Sequence, residues 1–338
     1  MAGLSEANVK QFSSNVYHLI QQKGSKFINL ITKKDVSKEE GFFNKLGYST
    51  AQELTGVFSD VNYTELSHAV RSITWKTWYN AVPVDSIQKL KTIINPASEY
   101  SIEMKTAMQR KMDDIIIENI LGPVQGGKTG AQAPINLEDK HKRAAVDESA
   151  TINMLMTPET LRIIRRYFRE NDNDDETINL SLTAAGIDNL LGSDKLTSSD
   201  YNTVKALVNG DVDNFMGINF VKSQRLLKFN YVTTTGTRWL DPNDGGYSDT
   251  DPGAYTEFPT GVYRECFAWQ KSGVYYTQPE AMFTRVSELP VKHYSHQIYC
   301  RMKMGISRIE EEKVLKLFVR EDSAVNPIDV RVGTGPIN

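Results

Sequence analysis

One stretch restricts the folds open to this chain more than any other: residues 95–123 carry the marks of a single long helix. Asn95 can cap it, Pro96 suits the first helical position, and Glu99 and Glu103 lie where the positive end of the dipole favours acids. Met104, Met108, Met112, Ile115, Ile116 and Ile120 recur at helical spacing and form one apolar stripe. Gly122 and Pro123 stop it, a left-handed exit followed by a residue that cannot continue a helix. About 25 residues at about 1.5 Å each make a rod of roughly 37 Å. The other faces carry Lys105, Arg110, Lys111, Asp113, Asp114 and Glu118. Acids toward the carboxyl end oppose the dipole, which predicts cationic partners from elsewhere in the chain. No catalytic constellation surrounds the stretch. It reads as a structural strut.

Composition narrows the setting. A chain of 338 residues, 40% hydrophobic and 24% charged, is globular rather than disordered and can hold one large domain or two ordinary ones. A net charge of −3 argues against a protein that grips nucleic acid through a basic face. Two cysteines make no disulfide framework. No apolar run nears the ~20 residues of a membrane span, and the amino terminus lacks the h-region of a signal peptide. The expected setting is intracellular, or inside a cell during assembly, with no membrane partner.

Residues 1–34 form a polar arm in which Phe12, Val16, Leu19 and Ile20 can share a helical face ended by Gly24. It reads either as a short packing helix or as an arm laid on a neighbouring subunit. Residues 35–82 change character. Gly41-Phe42-Phe43 opens a strand, a turn-rich middle follows, and from His68 the residues alternate. Ile73, Trp75, Thr77, Tyr79 and Ala81 take one side, Ser72, Thr74, Lys76 and Asn80 the other, with Trp78 out of step. Apolar partners are few nearby in sequence. The segment is therefore expected to be a long two-stranded arm whose Phe42, Phe43, Phe58, Trp75, Trp78 and Tyr79 form an assembly interface.

Beyond the strut, residues 135–155 are polar and read as loop. Thr157 caps a second helix that begins at Pro158 and buries Leu161, Ile164 and Phe168. Strands follow at 215–221, 228–234 and 261–268. From Tyr294 the alternation is the clearest in the chain, with Ile298, Cys300, Met302, Met304 and Ile306 on one face and Gln297, Tyr299, Arg301, Lys303 and Ser307 on the other. A last strand at 314–319 precedes a polar tail.

Four chemical motifs dissolve on inspection. Residues 122–129, G-P-V-Q-G-G-K-T, match the phosphate-binding pattern G-x-x-x-x-G-K-[ST]. A working P-loop leaves a strand and opens a helix, whereas this one leaves a helix, contains Pro123 and runs into Pro134. It reads as a loop. The acidic loop 241–251 fails calcium-loop spacing, because Gly245 stands where the third ligand belongs and no glutamate takes the twelfth position. His293 and His296 point to opposite faces of a strand. Cys300, like Cys266, sits among apolar neighbours and reads as a packing thiol. No catalytic, cofactor or metal residue is expected.

The order of parts resembles the HK97-type fold, the major capsid protein fold of tailed bacteriophages that is shared by encapsulin shells. Several phrases are similar to those of a phage capsid family: Gln21-Gln22-Lys23-Gly24-Ser25, Asn209-Gly210 ahead of Met216-Gly217-Ile218, and Cys266-Phe267-Ala268-Trp269-Gln270-Lys271-Ser272-Gly273. Lys292-His293-Tyr294, continued by Gln297-Ile298-Tyr299, is another. The resemblance implies an α+β, HK97-like capsid fold. Its parts would be an amino-terminal arm (1–34), an extended loop (35–82), a peripheral domain (83–155 and 289–338) with a spine helix at 96–121, and an axial domain (156–288). It implies a structural protein, not an enzyme, assembling with itself as hexamers and pentamers into an icosahedral shell around double-stranded DNA. That DNA would be touched without sequence specificity. Implied partners are a separate scaffolding protein, a portal protein and a decoration or cement protein; the implied place is the virion, after assembly in the host cytoplasm. Two alternatives remain: an encapsulin-like compartment, and a P-loop enzyme using 122–129.

Overall fold

The computed structural model describes residues 24–36, 40–47, 49–53, 63, 65–84, 96–127, 134–145, 154–173, 175–191, 214–232, 237–240, 261–292 and 295–321. In chain order its elements are β1 (Thr32–Lys33), β2 (Glu40–Leu46), β3 (His68–Thr74), β4 (Lys76–Val84), α1 (Pro96–Leu121), β5 (Lys142–Ala144), α2 (Pro158–Glu170), β6 (Ile178–Leu182) and α3 (Ala184–Leu191). There follow β7 (Asn214–Phe215), β8 (Ile218–Lys222), β9 (Lys228–Val232), β10 (Thr237–Leu240), β11 (Gly261–Gln270), β12 (Val274–Leu289), β13 (Ser295–Arg308) and β14 (Val314–Arg320). Contacts divide the chain into two compact units: Met1–Ile135 with Tyr275–Ile309, and Asn136–Val274 with Glu310–Asn338.

The first unit is built on α1 and a four-stranded sheet ordered β1-β12-β13-β4. Helix α1 packs against β13, and its expected stripe is buried in full, from Met104 to Ile120. Ile117 joins it at 1% exposure, so the buried face is wider than one stripe. The facing side of β13 is Ile298, Cys300, Met302, Met304 and Ile306, all buried as alternation requires. Ser307 departs from that pattern. It is buried too.

The charges on α1 resolve in two ways. Asp113 is fully buried and accepts from the Ser25 hydroxyl and from the Lys26 backbone N–H at 3.1 Å, tying the amino-terminal segment to the helix. The cation at the helix end comes from β13: buried Arg308 donates to Ile120 O at 2.6 Å and Gly122 O at 3.2 Å, carbonyls the helix leaves without an internal partner.

The second unit holds an eight-stranded sheet whose main path is β10-β9-β11-β6-β8-β7, with β14 on the other edge of β11 and β5 parallel to β14. Met154, Phe229, Tyr263 and Phe318 form one of its cores. Thr157 caps α2, its hydroxyl accepting from Thr160 N–H, as the sequence predicts. The strand expected at 215–221 is a hairpin instead. Met216 and Gly217 both take positive φ (53° and 75°), which turns β7 into β8 in two residues.

Three expectations change. The alternation from His68 to Val82 belongs to two strands, not one: β3 pairs with β2, while β4 pairs with β13 in the other sheet. The period carries across the corner at Trp75, but the partner strand does not. The loop expected at 135–155 contains β5. The boundaries expected at 155 and 288 also fall elsewhere. Strand β14 is hydrogen-bonded to β11 over seven residue pairs and so belongs with the second unit, while most of the 16-residue β12 lies in the first. Phe12, Val16, Leu19, Ile20, Asn95, the 241–251 loop and the tail beyond Asp322 lie outside the described residues.

Candidate assembly surface

The two-stranded sheet of β2 and β3 runs in register from Glu40↔Thr74 to Leu46↔His68 and closes with Gly47 N–H on Ser67 O at 2.8 Å. Its root is held on three sides. The free edge of β3 takes up the segment after α1: Ser72 N–H donates to Gln125 O (3.1 Å) and Gly127 N–H to Val70 O (2.9 Å). Phe43 packs edge-on against Tyr275 with ring centroids 5.5 Å apart. At the corner into β4, Gly305 of β13 permits backbone contact; a Cβ there would lie 2.6 Å from Thr74 O and 2.9 Å from the Trp75 Cα. Arg71, Ser72 and Ile73 are buried in consequence.

The same hydrogen bonds answer the phosphate-loop question. Gly127 N–H is engaged by Val70, and Val124 N–H by Ile135 O at 3.0 Å. A phosphate cradle needs those donors converging on one point at a helix start. Here these two are engaged in strand pairing at a helix end, so 122–127 anchors the ribbon; Lys128 and Thr129 lie outside the described residues. Among the described residues no group of three or more His, Cys, Asp and Glu could hold a metal ion. Cys266 and Cys300 are both buried, and burial pushes the Cys266 thiol pKa far up, away from reactivity.

The ribbon's distal half is open. Leu46 is exposed at the end of β2, as are Leu66 and Tyr63 (91%) in the connection to β3, while Phe42, opposite Ser72, is exposed nearer the root. Of the six aromatics singled out from sequence, Phe42 and Phe43 lie on the ribbon and Phe58 is outside the described residues. Of the other three, Trp75 stands at the corner by the ribbon's root, and Trp78 and Tyr79 lie past it on β4. Lys303 stands over the Trp75 ring at 5.0 Å and Lys111 over Trp78 at 4.6 Å. Tyr79, 70% exposed, stacks on Tyr299. Lys303 and Arg301 share Glu280 (3.3 and 2.7 Å), and the hydrogen bonds from Arg301 are the main reason the Glu280 carboxyl titrates below its usual range.

The sequence model of the phage capsid protein family matches residues 4–321, nearly the whole chain. The chain belongs to that family. No curated protein matches its sequence. Solved capsids share its fold: that of cyanophage P-SCSP1u (15% identity, covering 94% of this chain and 95% of that one, TM-score 0.67) and that of cyanophage Pam1 (13%, 95% and 99%, 0.65). The acid-stable capsid of Helicobacter pylori bacteriophage KHP30 is similar at 10% identity, covering 93% and 97%, with a TM-score of 0.65. This phage capsid protein is thus structural, not enzymatic, and has the α+β, HK97-like fold. Its family places it in the virion capsid, built from copies of itself. In the capsid protein, sequence reasoning missed Leu46 and Leu66 as exposed apolar positions, and Gly305, although a glycine inside a strand pattern is a known sign of close backbone approach.

Proposed function

We propose that this capsid protein assembles as hexamers and pentamers into a closed icosahedral shell around double-stranded DNA, its β2–β3 ribbon lying on a neighbouring subunit. The observation that carries this reading is the contrast along the ribbon: a root tied by hydrogen bonds, and a tip exposing Leu46, Tyr63 and Leu66. An isolated two-stranded ribbon is marginal in water, so such a tip needs a surface. Burying each large apolar side chain there contributes roughly 1.5–3 kcal/mol, part of which offsets the entropy of ordering the ribbon. The mild net acidity suits a container whose DNA is pushed in by a motor rather than condensed by basic arms, with backbone contacts that carry no sequence specificity. Scaffolding, portal and decoration proteins are the partners this reading calls for, and the host cytoplasm is the place of assembly. The domain roles follow: the first unit peripheral, the second axial.

Amide exchange tests it. Residues 41–47 and 65–70 should exchange fast in unassembled protein and slow by orders of magnitude in shells, with 104–121 protected in both. Equal protection of the ribbon in both states refutes the intersubunit contact. Electron microscopy of native particles reads the contents: packed DNA supports the capsid reading, and a discrete protein cargo supports an encapsulin-like compartment.

A further inference from the structure

The four-stranded sheet of the first unit ends on an open edge. Strand β4 pairs with β13 on one side, and among the described residues no strand lies on its other side. Its length sets it apart. The outer strands β1, β5, β7 and β10 are two to four residues long, while β4 runs for nine. Strand β2 is long as well, but Val36 crowds its root: a Cβ on Gly41 would lie 2.6 Å from Val36 Cγ2. Burial falls off across the same edge. Ile298, Cys300 and Met302 of β13 are at most 1% exposed, yet their partners Val82, Asn80 and Trp78, on the same face of the sheet, are only half-buried. Natural sheets guard an edge with lysine, proline or brevity. β4 has Lys76 at its start and Pro83 near its end, and the six residues between them, Thr77 to Val82, carry no charge and no proline. Backbone groups along that stretch are a template for an added strand.

The chain holds a segment of matching length and pattern. Glu321, the last described residue, is tied to β11 by its N–H on Val262 O at 2.8 Å. Farther on, Ile328-Asp329-Val330-Arg331-Val332 stands between Pro327 and Gly333. Three β-branched apolar residues at a spacing of two, bounded by a proline and a glycine, carry the signature of a short strand. Five residues fit within the six unguarded positions of β4. The amino-terminal segment offers no such pattern, since Phe12, Val16, Leu19 and Ile20 recur at helical spacing. From Glu321 to Ile328 the chain can span up to about 25 Å, enough to carry the segment away from β11.

We propose that residues 328–332 of one copy add as a fifth strand to the open edge of β4 in a neighbouring copy. Main-chain hydrogen bonds supply the affinity, and alternate side chains fix the face. Ile328, Val330 and Val332 extend the half-covered face of Trp78, Asn80 and Val82, and Asp329 and Arg331 stand on the outer face beside exposed Tyr79. The accepting edge belongs to another copy because a shell is held by contacts that form only on assembly: the edge stays open in the single subunit and closes in the particle. The contact rests on the capsomer reading above and adds a tie separate from the ribbon.

Oxidative cross-linking of the full-length protein tests it in particles. Ala81→Cys with Arg331→Cys puts both thiols on the outer face of the extended sheet, and the native Cys266 and Cys300 are buried out of reach. The pair should give a ladder of covalent multimers in assembled particles, whereas Ala81→Cys with Val330→Cys, on opposite faces, should give about tenfold less. Particles that form normally without the ladder, or an intramolecular cross-link in its place, overturn the proposal and leave the capsomer reading standing. A labelled peptide of residues 325–334 reads the edge apart from assembly, on full-length protein whose own segment is disabled by Val330→Pro. It should bind and slow amide exchange at 77–82. Single N-methyl groups along 328–332 should weaken it about tenfold at every second residue only, because alternate N–H groups face the accepting strand. No binding, protection at 40–46 instead, or equal loss at every position overturns strand addition. Binding with the alternating pattern supports the edge contact even where no particles form, a result that would sink the capsomer reading alone.

Discussion

Gly305→Ala is the sharpest probe of how the ribbon leaves the body of the subunit. The added methyl would lie 2.6 Å from Thr74 O, 2.9 Å from the Trp75 Cα and 3.0 Å from the Thr74 carbonyl carbon. These are backbone atoms and cannot swing aside. To reach ordinary contact the corner must retreat by roughly 0.8 Å, pulling on the Met304↔Lys76 pairing beside it. Overpacking of this kind costs about 1–3 kcal/mol. In a unit of this size that lowers the melting temperature by roughly 2–12 °C. Differential scanning calorimetry measures the shift, and hydrogen exchange at 70–73 shows whether the root loosens. Gly305 takes no positive φ, so the whole effect is steric. A variant that melts within a degree of wild type and keeps the root protected would refute the close approach.

The remaining predictions use other parts of the molecule. Gly186→Ala in α3 should do the opposite, raising stability by about 0.5–1 kcal/mol: its nearest neighbour would be Leu182 Cδ2 at an ordinary 3.5 Å, and alanine costs less backbone entropy in a helix. Ile116→Asp should leave no soluble protein, since it places a charge at a fully buried point of α1; a soluble variant with normal melting would show the stripe is not core. Calorimetry with Mg²⁺ and ATP or GTP should show no specific binding, because Gly127 and Val124 N–H groups are already bonded; a micromolar dissociation constant would contradict that geometry. His141 should confer acid sensitivity. The ring is buried with Nδ1 on the Tyr167 hydroxyl and no partner on Nε2; burial first, then Lys140, lowers its pKa against the opposing pull of Glu138, Glu311 and Glu312. The folded state therefore binds this proton less readily than the unfolded chain, and the stability it lends is present above about pH 6.5 and lost as pH falls below. Urea midpoints from pH 7.5 to 5 should fall more steeply in wild type than in His141→Phe; equal slopes would exclude the histidine.

Sequence alone determined what is local and periodic. Helix α1 was legible from its stripe and from the place of its Gly-Pro stop, although Gly122 does not take the expected left-handed φ; α2 was legible from its Thr-Pro start, and the inner face of β13 from simple alternation, because each pattern repeats within one element. The refusal of 122–129 as a phosphate loop was also legible, since a helix stands where a strand must. Tertiary structure decided what depends on pairing. The period-two pattern at 68–82 is the same whether one strand or two carry it, so only the partners, β2 for one part and β13 for the other, reveal the corner at Trp75. For the same reason Trp78 and Tyr79 read as arm residues and proved to lie beyond it on β4, with Trp75 at the corner itself. Strand β14 gives no sign in its own residues that it pairs with β11. Asp113 looked like a surface acid opposing the dipole, and became a buried anchor only through Ser25 and Lys26, nearly 90 residues away in the chain. Side-chain periodicity is written in neighbouring residues; hydrogen-bond partners across a sheet are chosen by the whole fold.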